Sequence, residues 1–188
     1  MTVIAWDGKS LAADGLMVNG PTVASYHTQK IFRACDYPEQ VWQMGGGAYE
    51  VLAFGFAGSC GSQFVMIDAL AHGFAPDAQF PPHHAFTVLM ITEEGAAWIA
   101  DKQEGEPTAR IYPVEAEGVA IGSGMDYAMG ALTNGANAQD AVMVACDCNV
   151  YCGGDIQQWT PQRVGRGLTP TLASDPDQSL WMAMGMVK

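Results

Sequence analysis

The chain is predicted to fold as an α+β protein, two antiparallel sheets with helices packed outside them. Three features carry that prediction. The first hundred residues are mostly short β-favouring runs broken by Gly, Pro and Asn turns. An almost wholly apolar run, residues 51–57, passes through Gly58-Ser59-Cys60-Gly61-Ser62 into a stretch with helical spacing. A pair of helical segments then precedes one last short strand. The sum is strands, helix, strands, helix pair, strand, which two antiparallel sheets with helices outside would satisfy.

Residues 2–14 read as a strand, a two-residue Asp7-Gly8 turn and a second strand ending on the carboxylate of Asp14. Both turn positions of such a hairpin tolerate positive φ in Asp-Gly. Gly15 to Gly20 is a loop. Short β-like runs follow at 22–26 and 30–33, and alternation in Lys30-Ile31-Phe32-Arg33 puts Lys30 and Phe32 on one face. Residues 35–50, with Pro38 and Gly45-Gly46-Gly47, form a loop or irregular hairpin. The run 51–57 reads as a strand covered on both faces. A Ser N-cap then opens a helix over 63–74, with Phe64, Ile67, Leu70 and Ala71 as its apolar stripe. Residues 75–84 are a proline-rich loop, and His83-His84 lies on its surface. Strands at 86–91 and 96–100 flank Thr92-Glu93-Glu94-Gly95, and further strands cover 109–114 and 119–121. Helices at 125–132 and from Asn137 to about 149 are separated by Asn134-Gly135. A strand at 155–160 follows, and 161–188 is an irregular tail rich in Pro and Gly.

With 188 residues, 49% hydrophobic and 15% charged, the chain suits a single domain, 1–188, with one sizeable core. A formal charge of −12 with eight Lys and Arg excludes nucleic acid and anionic membrane as natural partners. No apolar run reaches the ~18 residues of a spanning helix, and no basic segment precedes an apolar one as in a secretory signal. Cytoplasmic location is the expectation. Five cysteines without a signal predict reduced thiols. Cys146-x-Cys148-x3-Cys152 lacks the C-x2-C knuckle and has no histidine near it, so neither metal nor cofactor is expected.

Thr2 directly follows Met1 at the start of the first strand. Removal of Met1 would leave a hydroxyl nucleophile and a free amine, a base, on one Cα. That pairing is one of the known ways to activate a weak alcohol.

Four segments occur in order: Thr2-Val-Ile-Ala-Trp-Asp-Gly with Ala12-Ala13-Asp14, then Lys30-Ile-Phe-Arg33, then Gly55-Phe-Ala-Gly58, then Ala120-Ile-Gly-Ser-Gly-Met-Asp-Tyr-Ala128. Together, over residues 2–155, they resemble the proteasome β-subunit and the bacterial HslV-type peptidase, N-terminal nucleophile hydrolases. The chain especially resembles the short, propeptide-free homologues found in bacteria and their viruses. The resemblance implies a four-layer αββα sandwich, hydrolysis of peptide or other amide bonds, and assembly into homo-oligomeric single or stacked rings. It admits an ATP-driven unfoldase as a partner beside the peptide or protein substrate.

By the same resemblance Thr2 is the nucleophile. Lys30 is the lysine that tunes the amine and hydroxyl or shuttles a proton. Asp14 is the carboxylate that orients that lysine. Gly58 is the glycine whose N–H meets the developing oxyanion, with no Cβ to block the substrate. Ser123 is the hydroxyl that helps hold the N-terminal amine. Phe56 and Cys60 fall where the family lines its specificity pocket, here expected to be apolar. The chain departs from the family in two places. The interval from Lys30 to Gly58 is longer, an insertion near 35–50 that bears on the cleft or on a ring contact. Asn149 and Cys152 stand where the proteasome branch has Asp and Ser before a Gly-Gly pair, and Asp147 stands where the HslV branch has an Asp. The altered positions 149 and 152, with Met1 present in the chain, favour the rival reading: a catalytically silent subunit with a structural or assembly role.

Overall fold

The computed structural model describes residues 2–161; the expected tail at 161–188 therefore lies, beyond Pro161, outside the described residues. Among them, twelve strands and three helices form an α+β fold. A four-stranded antiparallel sheet has the order β11-β1-β2-β12, from Val119–Gly122 (β11), Val3–Trp6 (β1), Leu11–Ala13 (β2) and Gln157–Trp159 (β12). A six-stranded antiparallel sheet runs β10-β9-β8-β7-β5, from Arg110–Pro113 (β10), Ala97–Lys102 (β9), Phe86–Thr92 (β8), Tyr49–Gly58 (β7) and Ile31–Arg33 (β5), and Gln43–Met44 (β6) pairs with β7. Met17–Asn19 (β3) and Thr22–Ser25 (β4) make a separate hairpin, so part of the expected loop at 15–20 is strand.

The periodicity of each strand sorts its side chains into separate apolar clusters. Ile4, Trp6, Leu11 and Ala13 of one sheet meet Ile31, Ala57, Leu89, Ile91 and Ile99 of the other. Glycine at position 55 lets the sheets close, because a Cβ there would lie 2.5 Å from Ile4 Cγ2. The opposite face of the larger sheet carries Phe32, Phe54, Phe56, Phe86 and Val88. It is covered by Met66, Ile67 and Leu70 of the helix Ser62–Ala71 (α1). The opposite face of the smaller sheet carries Val3, Ala5, Ala12 and Ala120. It is covered by the helices Met125–Thr133 (α2) and Ala138–Cys148 (α3). Asn137 caps α3, its side chain accepting the Asp140 N–H at 2.9 Å.

Several local expectations need correction. The first hairpin turns over four residues, because Trp6 pairs with Leu11. The Asp7 carboxylate accepts the N–H groups of Lys9 and Ser10 and so builds the turn, a role that pairing propensities do not anticipate. The N-cap of α1 is Gly61 at φ 91°, without a side-chain cap; Ser62, fully buried, instead bonds His84 Nδ1 at 2.5 Å. Phe64 is 64% exposed, and Met66 takes its place in the buried stripe. Lys30 does not share the face of Phe32. It lies just before β5, outside the alternation, and its ammonium reaches Asp14 while Phe32 packs on the α1 side. The segment 35–50 is an irregular hairpin anchored by the fully buried Trp42 and by Met44 in the α1-side cluster.

Candidate active site

The order of β1 and β11 sets the starting point. Val3 pairs with Gly122, so the chain at Thr2 passes directly beside Gly122-Ser123-Gly124. The Thr2 backbone N–H donates to Ser123 Oγ at 3.0 Å. Ser123 Oγ in turn donates to the Thr2 carbonyl at 3.3 Å, which also accepts the Gly124 N–H at 3.3 Å. Gly122 has φ +92°, and a Cβ there would overlap the Thr2 carbonyl. Alternation from Ile4 and Trp6 turns the Thr2 side chain toward the gap between the sheets.

Asp14 follows β2 and is fully buried. Its Oδ1 accepts the Val3 N–H at 2.9 Å and the Lys30 ammonium at 2.6 Å, and its Oδ2 accepts the Gly153 N–H at 3.0 Å. One carboxylate oxygen thus joins the first peptide of β1 to Lys30. Lys30 is 5% exposed, which rules out a solvated edge-strand lysine. Burial pushes its pKa down, and the Asp14 charge opposes that shift. Gln157 fixes its backbone: Oε1 accepts the Lys30 N–H at 2.9 Å while Nε2 donates to the Thr28 carbonyl at 2.6 Å.

A cleft of ≈ 430 Å³ is lined by Thr2, Gly58 and Ser123 together with Ser59, Phe86 and Thr87, among others. Along β7 the Phe56 N–H donates to the Lys30 carbonyl and the Ser59 N–H to the Ala85 carbonyl, each at 2.9 Å. Because successive N–H groups alternate between strand edges, Gly58 N–H points to the side of Phe56 N–H, beyond the start of β5. Glycine at 58 also meets a packing constraint. A Cβ would meet the Ala85 carbonyl oxygen at 2.6 Å and Phe86 Cβ at 2.8 Å, so the neighbouring strand already excludes it.

The structure therefore brings Thr2, Asp14, Lys30, Gly58 and Ser123 to one end of the gap between the sheets. Phe56 and Cys60 do not join them. Phe56 points into the α1-side core, and Cys60 is exposed in the turn after β7; neither lines the cleft. None of residues 35–50 lines it either. The wall opposite Thr2 consists instead of Ala85, Phe86, Thr87, Lys102 and Gln103. Nothing in local sequence marks these residues, because they meet the cleft only through the pairing of β8 with β9.

The departures at 149 and 152 support Ser123. Asn149 Nδ2 donates to the Ser123 carbonyl at 2.7 Å, a bond that a carboxylate could not make. Cys152 Sγ lies 4.0 Å from Ser123 Oγ, and burial raises the pKa of its thiol. Burial likewise pushes the Cys146 thiol up to about 12. Asp147 is exposed on α3 and does not take the place of the missing carboxylate. Gly153 and Gln157 are further positioning groups; only Gly153, in its Gly-Gly pair, had a sequence signal. Among the described residues, no group of three or more His, Cys, Asp or Glu could hold a metal ion, and no helix is long and apolar enough to cross a membrane.

No protein-family model matches the sequence, and no curated protein is similar to it. Solved structures are similar in fold. The chain is similar to Thiobacillus denitrificans BPH in complex with epoxomicin, with TM-score 0.59 and 18% identity over 88% of this chain and 100% of that one. It is also similar to Thiobacillus denitrificans BPH alone, with TM-score 0.57 and 18% identity over 86% of this chain and 98% of that one. At this identity the likeness is one of fold.

Proposed function

We propose that the chain is a proteasome-like, N-terminal threonine hydrolase with the αββα sandwich of the N-terminal nucleophile class, cleaving peptide or other amide bonds. The observation that carries this reading is the convergence on Asp14 Oδ1. The first peptide of β1 and a buried lysine share that one oxygen, beside a cleft that Thr2 and Gly58 both line. The structural neighbour that binds epoxomicin adds support.

In the proposed reaction Met1 is first removed. The α-amine of Thr2, with a reference pKa of ~8, then takes the proton from its own hydroxyl as Oγ attacks the carbonyl carbon. The carbonyl electrons move onto oxygen, where the Gly58 N–H donates to the oxyanion. Collapse expels the leaving nitrogen, which carries off the proton held by the amine. Water, deprotonated by the same amine, cleaves the resulting ester and restores Thr2. The Lys30 ammonium keeps the local potential positive, and burial brings its own proton closer to release. Ser123 holds the nitrogen of Thr2 in place. We further propose a homo-oligomeric ring or stacked rings and a cytoplasmic location, with an ATP-driven unfoldase as a candidate partner.

The rival reading, a catalytically silent assembly subunit, is favoured most by Met1: while it is attached, Thr2 nitrogen is an amide and no base. Intact mass separates the two. The purified chain should lack Met1 and gain one adduct from a peptide epoxyketone, a reagent that needs both the hydroxyl and the amine. Thr2→Ala should gain none while keeping the native mass of the assembly. A chain that lacks Met1 and still stays unlabelled excludes the hydrolase.

A further inference from the structure

We propose that Asp101 sets the substrate preference of the Thr2 cleft and selects a cationic side chain beside the scissile amide. This inference rests on the hydrolase reading above.

Strand alternation decides which charge faces the gap. Leu89 and Ile91 of β8 and Ala97 and Ile99 of β9 all belong to the cluster between the sheets. Thr87 and its pairing partner Asp101 continue those rows by two residues, to the end of the gap where Thr2 opens the facing sheet. Thr87 Oγ1 donates to Asp101 Oδ1 at 2.8 Å, and Gln103 Nε2 donates to the same carboxylate at 3.0 and 3.3 Å. Thr87 and Gln103 both line the cleft. Two neutral donors orient the half-buried carboxylate without cancelling its charge.

The competing charge is Lys102, which also borders the cleft. Its side chain falls on the other face of β9, the face of its pairing partner Phe86. The ammonium belongs to a residue 1% exposed and donates to the carbonyls of His84 at 2.5 Å, Gln103 at 3.2 Å and Pro82 at 3.4 Å. All three of its hydrogens are taken by main-chain carbonyls, which fix the ammonium on that face of β9. Nearby, Glu106 accepts the Gln103 N–H at 3.3 Å while pairing with Arg110, and Glu104 is exposed. Asp101 does not itself line the cleft; its carboxylate is held directly behind that lining by Thr87 and Gln103, which do, on the gap-facing row of β9. In place of the apolar pocket expected from Phe56 and Cys60, the cleft carries Ser59, Thr87 and Gln103 in its lining, with the Asp101 carboxylate behind the last two.

Three peptide epoxyketones that differ only in the side chain next to the warhead (Lys, Leu or Glu) test this on the mature full-length protein. The labelling rate is followed by intact mass. The Lys reagent should react about tenfold or more faster than the Glu reagent, and that ratio should shrink as salt is raised. Asp101→Asn, which keeps an acceptor for Thr87, should bring the Lys-to-Glu ratio close to one. Equal rates for all three reagents on the unmodified protein, or a faster Glu reagent, overturn the preference while leaving the hydrolase intact. No labelling by any of the three overturns both.

Discussion

The cluster beneath α1 is packed with rings: Phe32 stacks on Phe54 at 5.1 Å, Trp42 lies 5.3 Å from Phe54, and Phe80 meets Phe86 edge-on at 5.2 Å. The cluster beneath α2 and α3 is almost all Ala and Val, with Ala5, Ala12, Ala120, Ala128, Ala138, Ala141 and Ala145. Large side chains hold helix and sheet apart and define position by interdigitation. Small ones let backbones approach, and position is then set by hard contact and by hydrogen bonds. Gly124 illustrates the second case, since a Cβ there would lie 2.7 Å from Cys152 Sγ and 2.9 Å from Val3 Cβ. The two walls of the cleft inherit this difference. The Thr2 wall is held by main-chain bonds to Asp14, Ser123 and Gly153. The Thr87 wall adjoins the aromatic core through Phe86.

The sharpest way to break the comparison is Asp14→Ala. It removes the carboxylate from both the Val3 N–H and the ammonium of a lysine that is 5% exposed, breaking a buried ion pair from one side. A loss of about 3–5 kcal/mol is expected in urea unfolding. Next come two substitutions with opposite logic. Phe54→Ala should cost about 3–5 kcal/mol through the cavity it leaves among rings. Ala141→Leu should cost about 1–3 kcal/mol by overpacking the small-residue layer. If enlarging Ala141 is harmless, the close-approach account of the α2–α3 side is wrong.

A pH test sharpens the same side. With the Cys146 thiol pushed from 9.0 to about 12 in the fold, the unfolded chain releases its proton first as pH rises. The contribution of Cys146 is therefore full below 9.0 and lost progressively toward about 12. Lys30 acts in the opposite sense: its pKa is lowered, so its contribution to stability rises with pH from that lowered value to the ordinary 10.5. Cys146→Ala should flatten the alkaline fall in the urea midpoint. The smallest effect expected is about 1 kcal/mol for Asn137→Ala, which removes the cap of α3.

Much of the fold was legible because its signals are local. The apolar run at 51–57, the Thr92–Gly95 turn and the Asn137 cap each lie within a few residues of the element they define. Two errors came where tertiary packing overrode a local preference: Ser62 left the cap for His84, and Phe64 yielded the buried stripe to Met66. A third was local, Asp7 building a longer turn than its dipeptide suggests. In the candidate site, Thr2, Asp14, Lys30, Gly58 and Ser123 were readable only as an ordered set of short segments. The specificity wall was not readable at all. Thr87 and Gln103 reach the cleft through strand register, which no short segment encodes.

The sequence by itself determined which residues can carry charge, hydroxyl or thiol chemistry, the class of the fold and the approximate place of most elements, because periodicity and turn chemistry act over a few residues. Tertiary structure alone decided that Lys30 is buried against Asp14, that β8 leaves no room for a Cβ at Gly58, and that Thr87 and Gln103 come to line the cleft. Each of those outcomes depends on which strand lies beside which and on which face meets the other sheet. Pairing and burial are properties of the whole packed chain, summed over contacts far apart in sequence.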